Sequence, residues 1–143
     1  MTTKREQILQ AIVTALAGTA GVGGSIYRSR VNPVSRPESP ALIVEPVNDV
    51  PSQNTSLPTL DHMLTVRVLV IVRDAIPDQA ADPIIKSLHA KLMTDQSLGG
   101  LVTDIMPGPT DFSLESADRS VGFIQCLYQV EYRTLVNDLT QGP

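Results

Sequence analysis

The segment Leu60–Asp74, LDHMLTVRVLVIVRD, decides the fold. Leu64, Val66, Val68, Val70 and Val72 fall on one side of an extended chain, with Thr65, Arg67, Leu69, Ile71 and Arg73 on the other. Side chains in a strand alternate with a period of two, so this pattern predicts a central strand covered on at least one side.

On its N-terminal side stands ALIVE, Ala41–Glu45, between Pro40 and Pro46. The run suits a buried strand better than a helix, because a helix this short does not nucleate. Ile26–Val31 mixes β-branched, aromatic and arginine residues and predicts a short strand. Six of the eleven prolines lie between Pro33 and Pro58, so that stretch is expected to be mostly irregular. Further upstream, Ile8, Leu9, Ile12, Val13 and Leu16 recur at three- and four-residue spacings, which predicts an amphipathic helix over Thr3–Ala17. The glycine-rich run Gly18–Ser25 ends it, since glycine accepts the left-handed conformation that closes a helix.

Downstream of the central strand, Ile84, Ile85, Leu88, Leu92 and Met93 mark a second helix. Asp82 is its expected cap, with Pro83 in the first turn; a start at Asp78 would place Pro83 inside and kink it. Leu101–Ile105 reads as a short apolar segment, Met106–Thr110 with its two prolines as a turn, and Phe112–Glu115 with Val121–Val136 as a hairpin. In the long arm Ile124, Cys126, Tyr128, Val130 and Tyr132 share the core side. The predicted fold is therefore α+β: a mainly antiparallel or mixed sheet packed against two helices, in the order α-β-β-β-α-β-β.

A chain of 143 residues and 15.4 kDa forms one domain, residues 1–143. Its longest apolar stretch, Val68–Val72, is far below the ~18 residues of a membrane helix, and no membrane role is expected. The N-terminal sequence lacks the features of a secretory signal and there is a single cysteine, which together suit a reducing cytoplasm. Eleven basic against fifteen acidic residues give a net charge of −4, where a phosphate-gripping domain carries a basic excess. Free nucleic acid is thus not the expected main ligand.

Few constellations point to chemistry. Gly18, Gly23 and Ser25 match three positions of a phosphate-binding loop, but Gly24 stands where lysine is needed, and the loop follows a helix instead of preceding one. His62, His89 and Cys126 lie in different elements without ligand-pair spacing, and Cys126 falls on an apolar strand face as an inert buried thiol does. Asp74, Asp78 and Asp82 surround the second helix start, where carboxylates cap amides and complement the helix dipole. No nucleophile elbow or kinase motif occurs. No enzyme activity, cofactor or metal is expected. Arg28, Arg30 and Arg36 lie in a stretch free of acidic residues, and alternation places Arg28 and Arg30 on one strand face, facing solvent, phosphate or a neighbouring subunit's carboxylates.

Taken in order, an N-terminal helix with its short loop, IYRSRVNPVSRPESPALIVEP, LTVRVLVIVRD, PDQAADPIIKSLHAKLMTDQSLGGLVTDI and SADRSVGFIQCLYQVEYRTL resemble the tail terminator family of long-tailed bacteriophages and prophages. That group includes the lambda-type minor tail protein U. The resemblance implies a structural protein that caps the tail tube as a homo-hexameric ring, stops its polymerisation and presents the head-joining surface. Its implied partners are copies of itself, the tail tube protein and a head-completion or connector protein, with DNA only as passing channel content. Its implied place is the head-proximal end of the virion tail, and the host cytoplasm during assembly.

Two readings from other classes stay open at this point: another head–tail connector or neck protein, and a small-molecule-binding α/β domain with a pocket of converging polar groups. Candidate subunit or tube contacts are Arg28, Arg30, Arg36, Asp49, Gln53, Asn54 and Asp74. Residues 47–59, VNDVPSQNTSLPT, offer little to bury and are expected as a flexible projecting loop. Residues 137–143 are expected as a disordered tail.

Overall fold

The computed structural model describes residues 2–30, 33–34, 39–115 and 120–142. Along the chain run α1 (Lys4–Leu16), β1 (Ile26–Arg28), β2 (Ala41–Ser52), β3 (Thr59–Arg73), α2 (Pro77–Thr94), β4 (Asp104–Glu115) and β5 (Val121–Leu135). The strands form one sheet in the order β1-β2-β3-β5-β4. β1 runs parallel to β2, and the other neighbours are antiparallel. The fold is α+β with a mixed sheet, in the element order that the sequence predicts.

β3 occupies the centre because its apolar row needs cover along its whole length. Leu64, Val66, Val68, Val70 and Val72 are all buried on one face, beside Leu42 and Val44 of β2 and Ile124, Cys126, Tyr128 and Val130 of β5. α1 covers β1 and β2 on this side, and α2 covers β3, β5 and β4. Ile8, Leu9, Ile12 and Leu16 of α1 and Ala81, Ile84, Leu88 and Leu92 of α2 supply the facing surface. Thr3 caps α1, its hydroxyl accepting the Glu6 amide at 3.2 Å. On the opposite face a smaller cluster joins Ala41, Ile43, Ile71 and Val121 to Val34 of the segment after β1. Among the described residues, no helix covers the rest of that face.

Four sequence expectations are corrected. Residues 47–52 belong to β2, paired with β3 as far as Ser52 and Asp61, so the expected loop over 47–59 reduces to a turn at 53–58. Composition misleads there because the ladder is made by main-chain groups, which polar and exposed residues supply equally well. Met106–Thr110 is likewise strand, not turn: β4 is an edge strand, where Pro107 and Pro109 are tolerated, and a register shift falls between Pro107 and Thr110. α2 starts at Pro77, placing Pro83 inside and leaving Asp82 within the helix. The lost backbone bond is offset by the burial of Pro77 and Ala81 on the sheet in that first part of the helix. Residues 137–142 are no free tail: the Lys4 amide donates to Leu139 O at 2.8 Å and the Leu135 amide to Gln141 O at 3.0 Å. The first of these bonds satisfies an orphan amide at the start of α1. The hairpin turn 116–119 lies outside the described residues, as does Val31 of the expected first strand.

Gly122 of β5 is where α2 comes closest to the sheet. A Cβ at this position would stand 2.6 Å from Pro77 Cβ and 3.3 Å from Val72 Cγ2. Gly122→Val is expected to lower unfolding free energy by about 1–3 kcal/mol, read from urea midpoints. Gly24→Ala, whose new Cβ meets nothing within 4 Å, is expected to change it by less than about 0.5 kcal/mol.

Candidate functional site

The two described arginines of the basic stretch do not share a face. Arg28 points to the helix side and forms a two-pronged pair with Glu6 of α1, Nη1–Oε2 and Nη2–Oε1 both at 2.8 Å. This contact holds the Glu6 carboxyl below its ordinary range. Arg30 lies with its guanidinium 4.5 Å from the centre of the Tyr27 ring and donates to Pro33 O at 3.0 Å. Tyr27 packs with the cluster on the opposite face. Strand alternation fails between the two arginines because Ser29 adopts a left-handed φ of 48° and β1 ends at Arg28. Arg36 lies outside the described residues.

Asp49 is buried inside the subunit instead of standing on a projecting loop. Between Pro46 and Asn48 the β2–β3 register shifts by one residue: Glu45 pairs with Arg67, yet Asp49 pairs with Leu64. An extra residue of this kind sends every following side chain to the other face. Asp49 thereby turns to the helix side, where Oδ1 lies 3.0 Å from His62 Nδ1 and Oδ2 accepts from Arg5 Nη1 at 3.1 Å and from the Tyr132 hydroxyl. His62 Nε2 lies 2.9 Å from Thr134 Oγ1, and its ring stacks on Tyr132 with centroids 4.4 Å apart.

Burial, reinforced by the bond to Asp49 and its charge, pushes the Tyr132 hydroxyl well above the usual phenol range, so it stays a donor. The order Asp–His–Thr resembles a nucleophilic relay, but Thr134 is only 1% exposed and its hydroxyl is not presented to solvent. Chemically the cluster is a brace tying α1 to β2, β3 and β5. Sequence reasoning missed it because nothing in the composition marks the register shift.

The remaining candidates are turn residues. Asn54 Nδ2 donates to Asp61 Oδ2 at 2.9 Å and Gln53 Nε2 to Leu57 O at 3.3 Å, both exposed. Asp74 leads into α2, its Oδ1 accepting the Ile76 amide at 3.3 Å. A cleft of about 360 Å³ on the helix-free face has Asn54, Asp61, Met63, Glu131 and Arg133 on its walls. Asp61 and Arg133 pair across it at 2.6 Å. The histidines and the cysteine stand in separate surroundings: His62 sits in the brace, His89 Nδ1 lies 3.0 Å from the Tyr128 hydroxyl, and Cys126 is buried.

A surface without any sequence signal appears at the far edge of the sheet. The register shift in β4 pairs Phe112 with Ile124 and Leu114 with Gly122, which puts both on the helix side. Pro77 packs over Gly122, so α2 begins beside this corner instead of covering it. Phe112 and Leu114 remain 60% and 56% exposed there, with Ile76 also exposed. Asp111, Ser113 and Glu115 face the other way on the same strand.

No protein-family model matches the chain, and no curated protein matches it in sequence. Among solved structures, its fold is similar to that of a chain in the "Virion of native gene transfer agent (GTA) particle", with a TM-score of 0.53 and 11% identity. The match covers 89% of this chain and 95% of that one. At this identity the likeness is one of fold.

Removing the Asp49 carboxylate strands the His62 and Tyr132 donors in a buried site, so Asp49→Ala is expected to cost about 2–4 kcal/mol in urea unfolding. Arg5→Ala, whose side chain is 43% exposed, is expected to cost less than about 1 kcal/mol. Equal losses from the two changes would contradict the brace. Burial also pushes the Cys126 thiol up to about 11. A thiolate-selective reagent in mildly alkaline buffer is therefore expected to label Cys126 only as the protein opens, with rapid labelling of the native state the contrary result.

Proposed function

We propose that this chain is a non-catalytic virion protein that caps the end of a tail tube as a hexameric ring, halts tube growth and offers the surface to which the head joins. The observation that carries the reading is a fold shared over most of its length with a chain of a gene transfer agent virion. The ordered series of segments resembling tail terminators makes the reading specific. Its partners are copies of itself, the tube protein and a connector protein, and DNA passes through the ring as channel content.

Physical features of the monomer support an assembly role. The sheet ends in two unlike outer strands, β1 and β4. Contacts between unlike surfaces run head to tail and close into a ring when the rotation per subunit fits. Phe112, Leu114 and Ile76 leave an apolar corner open beside β4, as surfaces awaiting a protein partner do. The net charge of −4 suits protein partners better than a standing grip on phosphate.

The deciding measurement is electron microscopy of particles assembled without this protein. Overlong, headless tails are expected. Tubes of normal length lacking heads would instead identify a connector. Native mass measured over a concentration series, together with imaging of tube ends mixed with the protein, is expected to find six-membered rings in solution or on the tube. A strict monomer that never decorates tube ends would defeat the reading.

A further inference from the structure

β4 ends the sheet, and the two halves of its outer side differ. Pro107 and Pro109 blunt the first half against strand addition, whereas Thr110–Glu115 contains no proline and every residue of it is exposed. On the inner side this half pairs with β5, from Thr110 with Cys126 to Glu115 with Val121. In an antiparallel pair only every second residue bonds to its neighbour, so the residues between turn their amide and carbonyl outward. Among the described residues no other strand or loop takes up those groups. Side chains add a second pattern: Phe112 and Leu114 stand largely exposed on the helix side, and Asp111, Ser113 and Glu115 on the other. Neither Asp111 nor Glu115 has an ion-pair partner among the described residues.

We propose that Thr110–Glu115 is a strand-addition site for an extended segment of another protein, with lysine or arginine opposite Asp111 and Glu115 and apolar side chains opposite Phe112 and Leu114. Recognition of this kind takes its affinity from main-chain bonds and its choice of partner from alternate side chains. Residues directly opposite on adjacent strands have Cβ atoms about 4.5–5.5 Å apart, close enough for unlike charges to attract and like charges to repel. The spacing along this edge therefore specifies the incoming strand: basic, apolar, small polar, apolar, basic. The same carboxylates refuse a second copy of the strand. Paired antiparallel about Ser113, two copies set Asp111 against Glu115 twice, and paired parallel in register they set each carboxylate against its like. The charge thus argues for a basic partner over another copy of this chain. The open ladder groups argue for an extended segment over a helix, which satisfies its backbone groups within itself.

The site needs a partner segment and not a ring, so it is tested on the isolated chain without tubes. The probe is a fluorescein-labelled peptide with the core Lys-Val-Thr-Val-Lys, whose palindromic order serves either strand direction. Fluorescence anisotropy at low ionic strength is expected to show saturable binding, about tenfold or more tighter than for Glu-Val-Thr-Val-Glu. Asp111→Lys with Glu115→Lys is expected to reverse that preference. Phe112→Ser with Leu114→Ser is expected to weaken binding of the lysine peptide by about tenfold, with thermal melting as the control for folding. Strand addition itself is read in two ways. Amide exchange within Thr110–Glu115 is expected to slow when the peptide is bound. Of two N-methylated peptides, one blocked at both valines and the other at the threonine and lysines, one is expected to lose binding while the other keeps it, because alternate amides face β4. No binding, a charge preference absent or unmoved by the reversal, unchanged exchange, or equal behaviour of the two methylated peptides would overturn the proposal. None of these results touches the ring reading, which stands or falls on the tube ends.

Discussion

Burial of one row of β3 governs the architecture. Leu64, Val66, Val68, Val70 and Val72 are each at most 1% exposed, and together they demand an apolar cover as long as the strand itself. α1 and α2 are both spent on that cover, which is why they lie on the same side of the sheet and why, among the described residues, no helix lies on the opposite face. β3 also pairs along its length with β2 on one side and β5 on the other. The central position leaves its backbone groups satisfied and pushes every free ladder edge outward to β1, the end of β2 and β4.

At those margins, one-residue register shifts do work that the central strand cannot. In β2 the shift turns Asp49 inward to His62, Tyr132 and Arg5, and so fastens the beginning of α1 to the far end of the sheet. The C-terminal segment reinforces the same corner through the Lys4 amide. In β4 the shift has the opposite consequence. Phe112 and Leu114 arrive on the helix side beside the start of α2, which does not cover them, so apolar area is carried to the border and left open.

The molecule thus divides into a braced interior and two dissimilar borders. An acidic, partly apolar strand lies at one border and an arginine-bearing strand at the other. Prolines in β2 and β4 restrict where another strand can add. The exposed apolar side chains of β4 lie at one of these borders, while those of β3 are enclosed in the interior.

Read alone, the sequence determined the element types and their order, because periodicity is local: the alternation over Leu60–Asp74 and the helical spacing of Ile8, Leu9, Ile12 and Leu16 need no knowledge of partners. It also located the core rows of β3 and β5. Tertiary structure decided what depended on pairing. Residues 47–52 look like loop by composition and become strand because β3 offers them a ladder, while Pro83 is admitted into α2 because the sheet holds the helix on both sides of it. Arg28 and Arg30 part company at a single left-handed residue, and Asp49 and Phe112 change faces at single-residue shifts. A strand's periodicity assigns its side chains to two sets, but only the register against a neighbour says which set faces inward.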